Sequence, residues 1–153
     1  AMRRDQPMMA KRILVPLDGR ESSEAAAALA ADLARGSGGT VRLLQVYPVP
    51  EERRGTYGRV VAYADQEMAR LTGEGRDYLE TVEARLGSVP AETVVRFGEP
   101  REEILTEAEA FDADVIVVTA ARRAGWLSRL GRGGIGERLL HASPVPVVLV
   151  RAA

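Results

Sequence analysis

Residues 131–151, GRGGIGERLLHASPVPVVLVR, predict a glycine-rich loop, a short helix and a final apolar strand. Gly133 and Gly134 fall where the helix would begin. The first turn of a helix has unpaired N–H groups and the positive end of the helix dipole, so it attracts anions, and glycines let a phosphate come close to the backbone. Pro144 and Pro146 suit a strand at the edge of a sheet. The stretch therefore predicts a phosphate seat followed by an edge strand that can meet a partner.

The composition of the 153 residues excludes several classes of protein. Lys and Arg number 21 against 22 Asp and Glu, and the resulting net charge of −1 offers no broad basic surface for nucleic acid or anionic lipid. The absence of cysteine rules out disulfides and thiolate chemistry. A single histidine, His141, argues against a histidine-based metal or catalytic cluster. We therefore expect neither a metal site nor catalytic residues.

The ends and the hydropathy of the chain bear on domains and location. No apolar run approaches the roughly 20 residues that span a bilayer. Residues 1–10 have a charged start but lack the apolar segment of a secretory signal. We expect a flexible leader over 1–10, a single domain over 11–153, a cytoplasmic location and no membrane partner.

Five apolar runs alternate with helical patterns along the chain. Strands are predicted at 12–17, 41–47, 92–97 and 114–119 and in the final run. This order predicts an α/β fold with a doubly wound five-stranded parallel sheet and helices on both faces. Ligands of such sheets bind beyond the carboxyl ends of the strands, where the strand order switches. One crevice should therefore collect Asp18, the end of the second strand at 46–47, and the loop over 119–134.

The first helix should begin at a serine cap, Ser22 or Ser23, and end at Gly36. Its predicted apolar stripe consists of Ala25, Leu29 and Leu33. A second helix is predicted over 61–86, in which Gly73 and Gly75 should each cost about 1 kcal/mol relative to alanine.

Four segments resemble universal stress proteins, and together they run in order over residues 11–151. The segments are KRILVPLDGRESSEAA, FGEPREEIL, DADVIVVTA and GGIGERLLHASPVPVVLVR. The resemblance implies a strand order of 3-2-1-4-5 and a homodimer in which the last strands of two subunits associate. It also implies that the protein either binds ATP or belongs to the members that bind no nucleotide.

ATP-binding members carry Gly-x2-Gly-x9-Gly-[Ser/Thr] after the fourth strand, and their match to this chain is mixed. By resemblance, Asp18 is the aspartate that contacts the nucleoside, and Val46 is the backbone position beside the adenine. Gly133 matches the last motif glycine, but Gly134 replaces the hydroxyl residue. The nucleotide site is therefore expected to be degraded at its phosphate end.

The two early motif glycines are missing in either possible register. Counting back from Gly133 puts Ala120 and Arg123 at their positions, whereas counting forward from the fourth strand puts Thr119 and Arg122 there. The loop also carries Arg129 and Arg132. Arginines bind phosphate through charged bidentate hydrogen bonds, so Arg122 and Arg123 either replace the lost backbone contacts or belong to a solvated loop.

The last strand is apolar on both faces. Along it, Val145, Val147 and Leu149 alternate with Pro146, Val148 and Val150. An edge strand of this kind needs a cover, and a second copy of the chain presenting the same strand supplies one. The predicted dimer interface comprises Val145, Val147, Val148 and Leu149, and partial burial by the chain's own helices is the alternative.

Three hypotheses of function follow. The first is a non-catalytic stress-response regulator whose adenine-nucleotide site binds ATP weakly or not at all. The alternative within the family is a competent ATP/Mg²⁺-dependent switch, with a slow ATPase as a less favoured variant, because no Gly-x4-Gly-Lys-[Ser/Thr] motif exists. The third is an interaction domain for a protein partner that the sequence does not identify.

Overall fold

A computed structural model describes residues 10–50, 60–120 and 134–151. Five strands form one sheet in which every pairing is parallel, in the order β3-β2-β1-β4-β5. The predicted fold class and the strand order implied by the resemblance are confirmed. The strands are β1 Arg12–Leu17, β2 Thr40–Tyr47, β3 Ala91–Phe97, β4 Val115–Ala120 and β5 Val147–Arg151.

Four helices cover the two faces of the sheet, α1 and α2 on one face and α3 and α4 on the other. Their bounds are α1 Glu24–Ser37, α2 Val60–Ala84, α3 Pro100–Phe111 and α4 Gly134–Ala142. Within the three described ranges, none of these helices combines the length and the apolar character needed to cross a membrane.

The sheet separates two apolar cores. Alternate residues of β1 face opposite ways, so Ile13, Val15 and Leu17 pack under α1 and α2, whereas Leu14 packs under α3 and α4. The second core also holds large buried side chains from the other helices and strands: Leu44, Ile104, Phe111, Ile116, Ile135 and Leu139. Burial on both faces explains why the strands are continuous apolar runs.

The buried stripe of α1 differs from the predicted one. Ala25, Leu29 and Leu33 are only partly buried, and the fully buried residues are Ala26, Ala27, Ala30, Ala31 and Ala34. Small side chains let the helix approach the sheet closely. The size of the side chains, rather than their hydrophobicity, therefore decides which face of α1 points toward the sheet. The predicted end at Gly36 is also wrong, because α1 continues to Ser37 and is capped by Gly38, whose φ of 72° is left-handed.

The two glycines of α2 have different surroundings. A Cβ at Gly73 would meet nothing within 4 Å, whereas a Cβ at Gly75 would lie 2.9 Å from Cγ2 of Val95 and 3.0 Å from Cε2 of Tyr47. Gly75 is therefore the position where α2 comes close to β2 and β3. The expected weakening of the helix at this residue is accompanied by a packing requirement that the sequence pattern did not reveal.

An ion-pair network replaces apolar packing where α3 crosses β2 and β3. Glu107 is 3% exposed, and its carboxylate accepts from Arg42 at 2.8 Å and from Arg96 at 3.3 Å. Burial acts to lower the pKa of Arg42, but its hydrogen bonds to Glu92 and Glu107 raise that pKa overall. This network could not be predicted from local patterns, because its members lie on three separate elements.

The strand β5 lies at the edge of the sheet, paired with β4. Of the predicted interface residues, Val145, Val147 and Leu149 pack against the core under α3 and α4, while Val148 is 36% exposed. The alternative of partial burial by the chain's own helices therefore holds for three of the four residues. The dimer remains a prediction.

Candidate functional site

The backbone pairing between β1 and β4 is short and stops before the carboxyl ends of the two strands. Ile13 pairs with Val115 and Leu14 pairs with Ile116, whereas β1 pairs with β2 along its whole length. The order of the strands along the chain switches direction between β1 and β4. Ligands of doubly wound sheets bind at such a point. The space beyond Leu14 and Ile116, here called the switch-point gap, is therefore the candidate site.

Asp18 follows β1 directly and lies at the rim of the switch-point gap. Its Oδ1 accepts a hydrogen bond of 2.9 Å from the backbone N–H of Arg20. Gly19, between them, has a φ of 84°, which a residue with a Cβ rarely adopts. A side chain bonded to the backbone two residues ahead is the usual way an aspartate fixes a turn. The turn thus holds the Asp18 carboxylate at the rim of the gap.

The start of α1 is capped by a residue of β4 and not by the serine at its own cap position. Ser23 occupies the expected cap position, but its hydroxyl makes no capping bond and donates instead to the carbonyl of Arg20 at 2.8 Å. Thr119, near the end of β4, accepts from the N–H of Ala26 at 3.3 Å and donates to the carbonyl of Ser23 at 2.9 Å. Thr119 therefore joins the two sides of the switch-point gap.

Val46 lies near the carboxyl end of β2, as predicted. Its side chain is buried in the core under α3 and α4, so a ligand would meet the backbone at this end of the strand and not the isopropyl group. The neighbouring carbonyl of Tyr47 accepts from the N–H of Gly98 at 2.9 Å, which fixes the end of β2 against the turn that follows β3.

Gln45 is a polar residue of this region that sequence reasoning missed. It is 5% exposed, and within the described part of the chain its Oε1 is buried without a hydrogen-bond partner. A Cβ on Gly19 would lie 3.1 Å from Nε2 of Gln45, and a Cβ on Gly75 would lie 3.3 Å from its Oε1. The amide is therefore held between the Asp18 turn and α2. The signal for this residue in the sequence was a single glutamine near the end of an apolar strand.

The helix α4 begins at Gly134, as the sequence predicts. Two residues later, a Cβ on Gly136 would lie 2.5 Å from Cδ2 of Leu149, so α4 lies close against β5 because this residue is glycine. The remaining predicted residues of the phosphate end, Gly133, Arg122 and Arg123, lie outside the described residues.

The first turn of α1 carries a carboxylate that faces α2. Glu24, in the first turn of the helix, accepts from the hydroxyl of Tyr78 at 3.2 Å and forms an ion pair with Arg85. Burial raises the pKa of Tyr78, and the charge of Glu24 raises it further, so the phenol stays protonated at neutral pH. Together with Asp18, Glu24 offsets the positive end of the helix dipole. Glu24 thus acts on the side of α1 that faces α2, and at the gap it is the Asp18 carboxylate that favours ligand hydroxyl groups over phosphates.

A groove of about 220 Å³ lies elsewhere, between α1 and α2. It is lined by apolar residues, including Ala28 and Leu86, and by charged side chains such as Arg35. Arg35 donates to the carbonyl of Leu86 at 3.3 Å and so ties α1 to the turn that follows α2. The groove contains none of the predicted site residues.

Comparison with known proteins identifies the family that this chain resembles. A model of the universal stress protein family matches residues 9–151. A universal stress protein of Thermus aquaticus, from the 3′ region of a QAH/OAS sulfhydrylase, is 30% identical over 145 residues, which are 94% of this chain and 100% of the relative.

Solved structures agree on the fold. The universal stress protein UspA from Lactobacillus plantarum superimposes with a TM-score of 0.74 at 17% identity, covering 95% of this chain and 100% of that one. A universal stress protein solved in complex with cAMP superimposes with a TM-score of 0.64 at 20% identity, covering 95% of this chain and 99% of that one. At these identities the likeness concerns the fold alone.

Proposed function

This chain belongs to the universal stress protein family, and we propose that it is a cytoplasmic, non-catalytic regulatory protein that binds an adenine nucleotide weakly in the switch-point gap. The observation that carries this proposal is the turn that holds the Asp18 carboxylate at the rim of a gap between β1 and β4. A relative with the same fold was solved in complex with cAMP, which supports the choice of adenine nucleotides as the ligand class.

The nucleoside end of the ligand is assigned to the β1–β2 side of the gap. There the Asp18 carboxylate can accept hydrogen bonds from ribose hydroxyls, and the backbone at Val46 can meet the adenine edge. The same carboxylate supports this orientation because its negative charge repels phosphate. The phosphates are therefore directed toward α4.

The phosphate end is assigned to the amino end of α4, with Gly133 and Gly134 close to the phosphates and Arg122 and Arg123 contributing charge. Binding there is expected to be weak, because neither register restores the two early motif glycines and Gly134 brings no hydroxyl. The described ranges contain no group of three His, Cys, Asp or Glu side chains that could hold a metal ion, and the proposal assigns no protein ligand to Mg²⁺.

We assign no catalytic residue. Hydrolysis of ATP requires a group that orients water and a cation that stabilises the transferring phosphoryl group. The Asp18 carboxylate lies, in this proposal, at the nucleoside end, and its Oδ1 already accepts from Arg20. Release of ADP from purified protein, abolished in Asp18→Ala, would instead identify a slow ATPase.

The proposed assembly is a homodimer formed through β5. The opposite edge strand, β3, carries the charged residues Glu92 and Arg96, which discourage pairing. The last two elements, in contrast, expose apolar side chains, with Leu140 47% and Val148 36% exposed. Two copies related by a two-fold axis would each cover the β5 edge of the other.

Thermal unfolding in the presence of AMP, ADP and ATP tests the proposed site, with Asp18→Asn as the variant and Asp77→Asn, an exposed aspartate of α2, as the matched control. At ten times Kd, a ligand stabilises the fold by about 1.4 kcal/mol, which raises the Tm of a domain of this size by roughly 3–6 °C. We expect this shift in wild type and Asp77→Asn and its loss in Asp18→Asn. No shift with any nucleotide, or an unchanged shift in Asp18→Asn, would overturn the proposed site.

A further inference from the structure

Thr119 connects β4 to the segment that follows β1, beyond the last paired residues of the two strands. The last paired residues of β1 and β4 are Leu14 and Ile116. Thr119 lies three residues further along β4, with 5% of its surface exposed, and reaches across to the segment that follows β1. Its hydroxyl thus links β4 to the start of α1 beyond the paired part of the two strands.

Both hydrogen-bonding functions of this hydroxyl are used. Thr119 donates to the carbonyl of Ser23 at 2.9 Å and accepts from the N–H of Ala26 at 3.3 Å. Both partners are backbone groups of the first turn of α1, and both Ser23 and Ala26 are buried. The Ser23 carbonyl, at the cap position, also accepts the first hydrogen bond of the helix. A buried backbone group without a partner costs about 1–3 kcal/mol, so valine at position 119 would leave the N–H of Ala26 unsatisfied at the start of the helix.

From Ser23 the connection continues to the proposed ligand contact. The Ser23 hydroxyl donates to the carbonyl of Arg20 at 2.8 Å and lies 3.4 Å from the backbone N–H of Asp18, which donates to it. The N–H of Arg20 in turn donates to Oδ1 of Asp18 at 2.9 Å. The position of the Asp18 carboxylate therefore depends on Ser23, and the position of Ser23 depends on Thr119.

We propose that Thr119 is a positioning residue, which holds the Asp18 carboxylate in place for the ribose hydroxyls of a bound adenine nucleotide by tying the start of α1 to the end of β4. This inference rests on the proposed nucleotide site. Thr119 acts through Asp18 and needs no contact of its own with the ligand. It follows that the loss of nucleotide affinity on removing the Thr119 hydroxyl depends on whether position 18 carries a carboxylate.

A double-mutant cycle measures this dependence. The variants are Asp18→Asn, Thr119→Val and the double variant, and the readout is the Kd for AMP from NMR titration of the full chain. We expect Thr119→Val to weaken AMP binding roughly tenfold when Asp18 is present and less than twofold when it is replaced, in line with the loss of one hydrogen-bonded interaction.

Two further variants separate positioning from loss of structure. Thr119→Ser retains the hydroxyl and should keep the Kd for AMP within about twofold of wild type, consistent with retained hydrogen bonds. Thr93→Val, the same replacement at a partly buried threonine of β3, should leave the Kd unchanged. Faster amide exchange at Arg20 in Thr119→Val, but not in Thr119→Ser, would show directly that the turn has lost its support.

The outcomes distinguish the inference from the proposed function. If Asp18→Asn weakens AMP binding but Thr119→Val does not, or does so equally in both backgrounds, the positioning role is wrong and the site stands. If AMP binds and Asp18→Asn has no effect, the proposed site is wrong and the inference falls with it. Failure of wild type to bind AMP overturns both.

Discussion

Replacing Gly75 with alanine tests how closely α2 must approach the sheet beside the candidate site. The new Cβ would lie 2.9 Å from Cγ2 of Val95, 3.0 Å from Cε2 of Tyr47 and 3.3 Å from Oε1 of Gln45. Carbon atoms in contact prefer 3.5–4.0 Å, so the first two neighbours must move by about 0.5–1 Å. Because one of them is an aromatic ring and the other belongs to a short branched side chain, the helix itself is expected to shift.

The expected magnitude combines two opposing effects. Alanine in place of glycine in a helix stabilises by about 1 kcal/mol, and overpacking of a closely packed site costs about 1–3 kcal/mol. Gly73→Ala is the matched control, since its Cβ would meet nothing within 4 Å. Gly73→Ala should therefore raise the free energy of unfolding by about 1 kcal/mol, and Gly75→Ala should fall about 1–3 kcal/mol below that variant.

Urea unfolding followed by circular dichroism measures both variants. If the two alanines stabilise the protein equally, the close approach of α2 at Gly75 is wrong, and so is the account of how Gln45 is held between α2 and the Asp18 turn. A second readout connects the packing to the site, because displacement of Gln45 should also weaken AMP binding in Gly75→Ala and leave it unchanged in Gly73→Ala.

Three further predictions concern the core, the pH dependence and the assembly. Glu107→Gln removes the buried carboxylate between Arg42 and Arg96 and should lower the free energy of unfolding by about 2 kcal/mol. The loss is limited because the arginines are partly exposed, so water replaces part of the lost interaction. A loss no larger than in Glu109→Gln, at an exposed site of the same helix, would contradict this. Burial raises the pKa of Tyr78, so its contribution to stability is complete below the unfolded-state pKa of about 10 and is lost as pH rises above that value. Tyr78→Phe should accordingly lose less stability than wild type between about pH 9.5 and 11, and equal slopes in the two proteins would refute the assignment. Val148→Lys should convert a dimer into a monomer in analytical ultracentrifugation, and a wild type that is already monomeric at high concentration would exclude the β5 interface.

Much of the fold could be predicted because its signals are local. The apolar run Arg12–Leu17 is bounded by a charged residue and an Asp-Gly turn, and β1 has the predicted ends. The predictions were wrong where close packing decides which residues are buried. Ala26 and Ala30 are buried in α1 in preference to Leu29 because the sheet is too close for a larger side chain, and a periodicity of hydrophobic residues does not record that distance.

The candidate site was less predictable, because it is assembled from distant parts of the chain. Asp18 could be recognised from its place after an apolar strand and from the family resemblance. The cap that Thr119 places on α1 spans 93 residues of sequence, and a serine at the usual cap position suggested a local cap instead. The environment of Gln45 depends on Gly19 and Gly75, which lie on two other elements.

The most direct test of the central claim is the location of AMP on the protein, measured by backbone NMR during a titration to about 20 mM ligand, well above the Kd expected for a weak site. The account predicts saturable shifts at the Asp18–Arg20 turn, at Val46 and Tyr47, and at the start of α4 from Gly134. Shifts confined to the groove between α1 and α2, or no shifts at the highest concentration, would contradict it.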